Sequence, residues 1–532
     1  MLEEGAFFYK GKDAEYLFQV IQMGINVLLL NPPYFAQFSK NSRSPAVSKG
    51  GCVYYPIWLG YAAGSLEING HHVKLIDATA PKELISVEKV TEMVREFDPK
   101  FIIMHTVTSS VVNDSKVAIH LRKEFPNSII AMVGPHVSAV SENTLTIAPE
   151  VDLIMRKEYD LTAVEMANRI EKGHSFEEIQ GITFRNKDNE IIKNPDAPDV
   201  PADYLDKLPF VTQVWAKHLE IKDYFYPSVL WPEVTIITGR GCPFRCTFCD
   251  WPQTFTGHNF RSRSVKNIVD EFEWITNNLP HVNDIMIEDD TFTVDRARVK
   301  EICQEVIDRK LKITWTVNSR ADVDLETLKI MKKAGCRLVC VGVESASQEI
   351  LNNIKKGTST QKIEQFFKDT KEANVLVHAC FMMGNRGETK ESIQQTVEFA
   401  KKLNPDTVQF FPIMVYPGTE AYEWAKTNNF LTIKAENWEN WLLEDGTHNT
   451  IVSTDKLTAA ELVDACDDAR RNFYMRPEFI AAKIWEGITT PSEFPRLVKS
   501  GRTFFKYLFN THEKSSLGET NQRTSLPVIQ GP

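Results

Sequence analysis

A loop with three closely spaced cysteines constrains this chain more than any other feature. Cys242, Cys246 and Cys249 have C-x3-C-x2-C spacing and directly follow the apolar run Val234-Thr235-Ile236-Ile237-Thr238. Such a loop can bind three corners of a [4Fe-4S] cubane, and with no fourth cysteine nearby one iron stays open for a small ligand. An open iron indicates chemistry rather than electron storage alone.

Three other interpretations of the loop are a structural zinc site, a disulfide with a spare thiol, and packing as small apolar residues. Zinc normally takes four protein ligands, often as two separated pairs, and no second pair follows here. A disulfide requires an oxidising compartment, and we identify no secretory signal. The cluster is therefore the favoured interpretation. The other cysteines lie in apolar patterns, where we expect core packing and assign no role: Cys52, Cys303, Cys336, Cys340, Cys380 and Cys466.

Length and charge define the class of protein. The chain has 532 residues, 42% of them hydrophobic, which is enough for two or three domains with real cores. A net charge of −10 argues against a nucleic-acid partner, because phosphate binding normally requires a basic surplus. No apolar run approaches the roughly 20 residues of a membrane span. We therefore expect an enzyme of the reducing cytoplasm.

The first part of the chain alternates short apolar runs with amphipathic segments. Residues 25–175 contain five strand-like runs, and helical patterns at 86–96 and 114–125 lie between them. This alternation predicts a doubly wound α/β domain, in which ligands bind beyond the carboxyl ends of the strands. Gly134, in the turn after the fourth strand, allows a close backbone approach to a ligand or forms a tight turn.

A hairpin and a proline-dotted connector follow, so residues 176–230 are predicted to be a linker. Residues 231–425 then contain six longer strand–helix units, which predict a partial (β/α)6 barrel with functional groups at the strand carboxyl ends. Residues 426–514 have helical, aromatic patterns that could cover the open side of the barrel. Residues 515–532 are polar and read as disordered.

The cysteine loop resembles the signature of the radical S-adenosylmethionine superfamily. That resemblance implies a [4Fe-4S] cluster whose open iron binds S-adenosylmethionine, and cleavage of the sulfonium to a 5′-deoxyadenosyl radical that removes a hydrogen atom from a substrate. It also implies a reductant such as flavodoxin or ferredoxin. Phe248 resembles the aromatic position that packs near the adenine.

Further turns match the superfamily in order. Carboxylates of Glu288 and Asp289 could accept hydrogen bonds from the methionyl ammonium, or could cap the next helix. Asn318 and Arg320 end the third strand; Arg320 could bind the methionyl carboxylate or form an ion pair with Asp322 or Asp324. The fourth- and fifth-strand turns add three candidate cofactor contacts: Glu344, Ser345 and Gly384.

The first domain resembles the cobalamin-binding domain of one branch of this superfamily. The resemblance rests on Asn31-Pro32-Pro33, Tyr55-Pro56-Ile57-Trp58-Leu59-Gly60 and the Gly134-Pro135-His136 turn. It implies Gly134, His136 and Ser138 as cofactor contacts. The Asp-x-His-x-x-Gly loop that ligates cobalt in many cobalamin proteins is absent, so a cobalamin here would lack that histidine, and a domain of this fold can also persist without its ligand.

These features predict a radical enzyme that attacks an unactivated carbon of a small molecule or lipid. Methyl transfer from cobalamin and cobalt-free ring closure both remain open. Trp251-Pro252-Gln253 and nearby motifs resemble a subgroup associated with hopanoid biosynthesis. An RNA-modifying methylthio enzyme and a non-catalytic electron carrier are alternatives of other classes. A basic amphipathic segment around Arg496–Lys506 could rest on an anionic membrane or dock on the protein.

Overall fold

The first sheet of the molecule holds the residues expected to bind a cofactor at one edge. A computed structural model describes residues 24–48 and 50–489, together with Val498 and Gly501. Within them, seven strands form a sheet of order β2-β1-β3-β4-β5-β6-β7, parallel from β2 to β5. The strands are β1 (Asn26–Asn31), β2 (His72–Asp77), β3 (Phe101–His105), β4 (Ile129–Val133), β5 (Leu153–Met155), β6 (Ile182–Arg185) and β7 (Ile191–Lys193).

Helices connect these strands and cover the sheet. They are α1 (Ile57–Ile68), α2 (Val87–Val94), α3 (Val111–Glu124), α4 (Pro135–Ala139), α5 (Ser141–Ile147), α6 (Asp160–Lys172), α7 (Ala202–Leu205) and α8 (Val211–His218). The central strands are apolar throughout because both faces of the sheet are covered, as β3 illustrates with five fully buried residues. The doubly wound prediction is confirmed.

The hairpin predicted to lie in the linker belongs to the sheet instead. β6 pairs antiparallel with β5, and β7 pairs antiparallel with β6. Arg156 fixes this extension, since its guanidinium donates to the carbonyls of Ile182 and Asn194. Local turn signals indicated a hairpin but could not reveal that β5, which ends 27 residues before β6 begins, would pair with it.

A second sheet forms the partial barrel. Its six parallel strands run in the order β15-β14-β13-β12-β11-β8, and β9 and β10 form a separate two-stranded ladder. The strands are β8 (Glu233–Ile236), β9 (Gly239–Arg240), β10 (Arg261–Ser262), β11 (Asp284–Ile287), β12 (Trp315–Arg320), β13 (Cys336–Glu344), β14 (Leu376–Met383) and β15 (Thr407–Pro412). The six strand–helix units expected from the sequence are present.

The helices of this half are α9 (Asp250–Thr254), α10 (Val265–Asn278), α11 (Arg296–Asp308), α12 (Leu325–Lys333), α13 (Gln348–Asn353), α14 (Thr360–Ala373), α15 (Lys390–Leu403), α16 (Glu420–Thr427), α17 (Ala459–Tyr474) and α18 (Pro477–Thr489). Several begin at capping side chains. Thr389 starts α15 in a capping box with Ser392, and Thr458 starts α17 in one with Glu461. The residues at which these helices begin are therefore set by local hydrogen bonds.

The C-terminal region closes one edge of the barrel. Tyr474 of α17 donates its hydroxyl to the carbonyl of Val408 and accepts from the Val408 amide, and Arg470 donates to the carbonyl of Phe410. These contacts occupy backbone groups of β15, which is an edge strand among the described residues and has no strand partner on this side there. Residues 428–457, within the region predicted to be helical, contain only short turns and isolated bridges besides the 3₁₀ turn Trp438–Trp441.

The predicted domain limits stay predictions, because the two halves share one core. A single cluster of buried apolar side chains includes both Leu29 of β1 and Val341 of β13. The basic segment around 496–506 and the tail 515–532 lie outside the described residues, apart from Val498 and Gly501. Among the described residues, no helix combines the length and apolar character needed to cross a bilayer.

Candidate active site

The three cysteines of the loop share one large cleft at the carboxyl ends of the barrel strands. Cys242, Cys246 and Cys249 all line this cleft, which has a volume of about 2990 Å³, and all three are free thiols. Gln253 holds the loop in shape by donating its side-chain amide to the carbonyls of Cys246, at 3.1 Å, and Cys249, at 2.8 Å. His258 contacts the carbonyl of Cys242 through Nδ1 at 2.9 Å.

The chemistry of these thiols fits an iron cluster. Burial raises the pKa of Cys242 to about 11, and the nearby Asp290 adds to the rise; burial likewise raises the pKa of Cys249. A coordinating metal deprotonates such thiols outright. The described residues include no group of three His, Cys, Asp or Glu side chains placed to hold a single metal ion. In a cubane each thiolate binds a different iron, so the thiols need not converge on one point.

The acidic turn after β11 lies against the cysteine loop. Glu288 pairs with Arg43, and Asp289 accepts from the amide and hydroxyl of Thr238, each at 2.6 Å. Neither acid contributes to the wall of the cleft, whereas Asp290 does. None of the three caps the next helix, because Asp295 caps α11. Burial raises the pKa of Glu288, and Arg43 opposes that rise.

The end of β12 supplies Asn318 and Arg320, and both line the cleft. Arg320 forms an ion pair with Asp322 at 3.1 Å, which is one of the alternatives predicted from the sequence for this residue. It also donates a hydrogen bond to the carbonyl of Lys356 at 2.8 Å. Its guanidinium lies 3.7 Å from the ring centroid of Phe244 in the cysteine loop. Arg320 therefore anchors the loop as well as facing the cleft.

Glu344 forms the polar centre of the cleft wall. Its backbone is left-handed, with φ 68°, and one carboxylate oxygen pairs with Lys356 at 2.8 Å. The other oxygen is buried and has no hydrogen-bond partner among the described residues. A Cβ at Gly342 would lie 2.1 Å from the paired oxygen, so glycine makes room for this carboxylate. An unpaired acceptor on the cleft wall fits a ligand with hydroxyl or ammonium donors.

The remaining candidate cofactor-binding residues of the barrel either line the cleft or stabilise the turns behind its wall. Phe248 lines the cleft, with Lys356 6.0 Å from its ring centroid. Ser345 is fully buried and bonds to Thr396 of α15 at 3.3 Å. Gly384 has φ 96°, donates its amide to Glu388 at 2.6 Å, and leaves room for Leu462 of α17.

A second polar group lies at the carboxyl edge of the first sheet. His136 contacts the hydroxyl of Thr108 through Nδ1 at 3.1 Å, and burial lowers its pKa to about 3, so the ring is neutral. Ser138 donates to the Gly134 carbonyl and accepts from the Lys157 amide, each at 2.8 Å, while Gly134 has φ 125°. Both hydrogen bonds of Ser138 stabilise the backbone turn at this edge of the sheet.

Several buried polar atoms at this edge have no hydrogen-bond partner in the described part of the chain: His136 Nε2, His105 Nδ1, Ser109 Oγ, Trp58 Nε1 and both side-chain amide atoms of Asn41. Their chemistry fits the amides and phosphate of a cobalamin. The cavity beside them has a volume of only about 10 Å³, and Lys40, Asn41, Ser42 and Pro45 are among the residues that line it.

Sequence reasoning missed two cations of the site. Lys356, within the Asn353-Ile354-Lys355-Lys356-Gly357 motif, pairs with Glu344, and Arg43 reaches the cleft from the loop after β1. The motif was only a weak indication that Lys356 belongs to the site. Nothing in the local sequence around Arg43 indicated a partner 245 residues away.

Comparisons with known proteins agree with this architecture. Residues 236–400 match the radical SAM superfamily and residues 43–167 match the B12 binding domain. An uncharacterised methyltransferase of Pyrococcus horikoshii is 31% identical over 432 residues, covering 81% of this chain and 90% of the relative. An anaerobic magnesium-protoporphyrin IX monomethyl ester cyclase of Cereibacter sphaeroides is 28% identical over 441 residues, covering 79% and 67%.

Hopanoid enzymes are among the relatives, as the sequence resemblance suggested. The hopanoid C-3 methylase of Methylococcus capsulatus is 22% identical over 382 residues, covering 69% of this chain and 68% of the methylase. A solved structure of the radical S-adenosylmethionine methyltransferase TsrM of Kitasatospora setae, with cobalamin and a [4Fe-4S] cluster bound, has a TM-score of 0.63 at 17% identity. It covers 86% of this chain and 90% of TsrM, and shows a shared fold.

The chain belongs to the radical SAM superfamily. Within it, this chain has a B12-binding domain ahead of the radical SAM domain. The predicted enzyme class and fold are confirmed at the level of this family, as are the [4Fe-4S] cluster and S-adenosylmethionine. Cobalamin, which the sequence left open, is supported by the match to the B12 binding domain.

Proposed function

We propose that this protein methylates an unactivated carbon of a small-molecule or lipid substrate. The observation that carries the proposal is that three free thiols and the unpaired oxygen of Glu344 line one cleft. When bound, the cluster and S-adenosylmethionine supply a radical that abstracts hydrogen from the substrate, and cobalamin supplies the methyl group. The chain positions these reactants and excludes water, because such reactions are carried by the cofactors.

In this proposal one group of residues contacts the cluster and S-adenosylmethionine directly. Cys242, Cys246 and Cys249 bind the cluster. Glu344 accepts hydrogen bonds from the adenosyl moiety or methionyl group through its unpaired oxygen, and Phe248 packs against the adenine.

Other residues support these contacts. Glu288 and Asp289 shape the acidic turn that faces the ammonium, while Asn318 and Arg320 form the adjacent wall. Ser345 and Gly384 support the turns behind it. At the first sheet, Gly134, His136 and Ser138 form the turn beside the cobalamin.

The cleft has room for a bulky substrate beside its cofactors. Its volume of about 2990 Å³, which includes the space that the cluster and S-adenosylmethionine would occupy, exceeds the ~300–1,000 Å³ of ordinary small-molecule pockets. Ile480, Ile484 and Ile488 of α18 line its side opening and remain 39%, 61% and 68% exposed. An exposed apolar stripe continuous with a cleft is typical of a ligand-binding groove. The relatives named hopanoid C-3 methylase and anaerobic magnesium-protoporphyrin IX monomethyl ester cyclase support a substrate of the hopanoid or protoporphyrin type.

The first test is cluster binding by anaerobically prepared protein. We expect wild-type protein to contain iron and inorganic sulfide, and to release deoxyadenosine from S-adenosylmethionine when reduced by flavodoxin or ferredoxin. A variant with Cys242, Cys246 and Cys249 changed to alanine should lose both properties. Cys380→Ala is the matched control, since Cys380 lines the same cleft outside the loop. A triple variant that keeps its iron would refute the proposal.

Oxidative ring closure is a second candidate, favoured by the similarity to the Cereibacter sphaeroides cyclase. The visible spectrum of the reduced protein separates the two candidates. Methylation requires the absorption of bound cobalamin and transfer of a labelled methyl group into components of a lipid extract. Turnover by a protein free of cobalt would favour ring closure instead.

A further inference from the structure

Arg43 links the two halves of the molecule at the radical site. It lies in the loop after β1, at the edge of the first sheet, yet its side chain lines the barrel cleft. Its guanidinium pairs with Glu288, approaches Asp290 at 3.5 Å, and lies 4.3 Å from the ring centroid of Trp251, just after the cysteine loop. Arg43 is also close enough to Cys249 for the guanidinium to interact electrostatically with this side chain.

The contacts of Arg43 fix a backbone turn as well as two carboxylates. One terminal nitrogen donates to the carbonyls of Glu288 and Asp289, each at 3.2 Å. The other terminal nitrogen holds the Glu288 carboxylate. The planar guanidinium suits this combination, because its donors have a fixed fork geometry and its face stacks on an indole. A single side chain thereby contacts all three residues of the 288–290 turn, which Thr238 and Thr256 hold from other sides through Asp289 and Asp290.

The loop that carries Arg43 is itself firmly anchored. Lys40 forms a fully buried ion pair with Asp114 of α3, at 2.8 Å. On the other side, the hydroxyl of Ser44 bonds to the hydroxyl of Tyr416 and to Nε2 of His448, each at 3.0 Å. Arg43 is therefore held between the first sheet, the sixth strand of the barrel and the C-terminal region.

The other cations near this part of the cleft have other partners. Lys356 pairs with Glu344, and Arg320 pairs with Asp322. Arg298 donates to the hydroxyl and carbonyl of Thr238, beneath the turn. In the described part of the chain, Arg43 is thus the cation that pairs with both Glu288 and Asp290.

We infer that Arg43 is a positioning residue of the radical site, through which the first domain completes the S-adenosylmethionine pocket of the barrel. It holds the 288–290 turn against the cysteine loop, so that Asp290 and the turn face the methionyl ammonium. The inference rests on the proposed function, because it concerns the pocket for that cofactor. It predicts that binding of S-adenosylmethionine depends on a residue outside the barrel.

The test compares four forms of the full-length protein: wild type, Arg43→Gln, Arg43→Lys and the control Arg296→Gln. Arg296 pairs with Asp324 on the exposed surface. Iron and sulfide are measured first. S-adenosylmethionine is then titrated into the reduced protein, with the change in the electron paramagnetic resonance signal of the cluster as the readout. The midpoint potential of the cluster is measured without S-adenosylmethionine.

We expect Arg43→Gln to keep its cluster but to bind S-adenosylmethionine about tenfold or more weakly, since charge-assisted hydrogen bonds are lost. Its midpoint potential should become more negative, because a positive charge near the cluster is removed. Arg43→Lys should keep the wild-type potential but bind S-adenosylmethionine more weakly, since an ammonium cannot make the forked contact. Arg296→Gln should match wild type.

Three results would overturn the inference: identical titrations of Arg43→Gln and wild type, full wild-type affinity of Arg43→Lys, or loss of iron from Arg43→Gln alone. The last result would give Arg43 a purely structural role. A wild-type cluster that does not respond to S-adenosylmethionine would refute the proposed function itself, and the inference with it.

Discussion

A buried ion pair should determine whether the cysteine loop stays anchored to the first domain. Arg240, just before the loop, forms two hydrogen bonds with Asp160 of α6, at 2.8 and 3.0 Å. Arg261 of β10, which follows the loop and α9, forms a similar pair with Glu158, at 2.6 and 2.9 Å. Since β9 and β10 pair through these two arginines, the base of the loop is fixed at both ends.

The perturbation is Arg240→Met, which leaves Asp160 without its counter-charge. The side chains of Arg240 and Asp160 are 1% and 4% exposed, so solvent cannot replace the lost partner. Removing one member of a buried pair destabilises a protein by about 3–5 kcal/mol. The guanidinium also lies 5.2 Å and 5.0 Å from the ring centroids of Trp58 and Tyr61, and these contacts add to the loss.

The assay is thermal unfolding of the apoprotein, followed by tryptophan fluorescence. Since the two halves share one core, an unfolding entropy of about 2.1 cal/mol/K per residue gives a shift of about 1 °C per kcal/mol, and Arg240→Met should lower the melting temperature by about 3–5 °C. The double variant Arg240→Met/Asp160→Asn should recover most of the loss, because no buried charge remains unpaired. Arg309→Met, which removes an arginine paired with three surface acids, should change stability by less than about 1 kcal/mol.

Two results would refute this reasoning. One is a melting temperature of Arg240→Met within the range of the Arg309→Met control. The other is a double variant that is destabilised by the sum of its two single changes, since that would mean the two side chains are not coupled.

Three further predictions follow from the packing. Gly342→Ala should weaken S-adenosylmethionine binding, measured by cluster resonance, because its Cβ would displace the Glu344 carboxylate 2.1 Å away. Gly60→Ala should lower the melting temperature, because its Cβ would lie 2.1 Å from the Trp215 ring. Burial raises the pKa of Glu388 to about 7, above its value of 4.5 in an unfolded chain, so folding favours the protonated form. Unfolding in urea should show stability falling as pH rises from 4.5 to 7, with a flatter profile for Glu388→Gln.

The first domain shows which features local sequence patterns determine. Alternating apolar runs predicted the five parallel strands of the first sheet and the six strands of the barrel. The spacing of three cysteines predicted a cluster site, because a loop of that length can present three thiols to one ligand. These features depend on residues close together in the sequence.

Tertiary structure determined the partners of the charged residues. Glu288 was predicted as a cofactor contact from its place after a strand, but only the fold shows that Arg43 covers it. The hairpin near residue 185 was visible in the sequence, whereas its pairing with β5 was not. The turn at His136 was likewise predicted, but its unpaired Nε2 beside a nearly closed cavity was not.

The physical reason is the range over which each interaction acts. The period of buried side chains and the spacing of cysteines arise from the geometry of one segment, so the strands and the cluster loop could be predicted from the residues within that segment. The partner of a charged side chain depends on which distant segments the fold brings within a few ångströms. Arg43 and Glu288, 245 residues apart, meet only because the loop after β1 is packed across the mouth of the barrel.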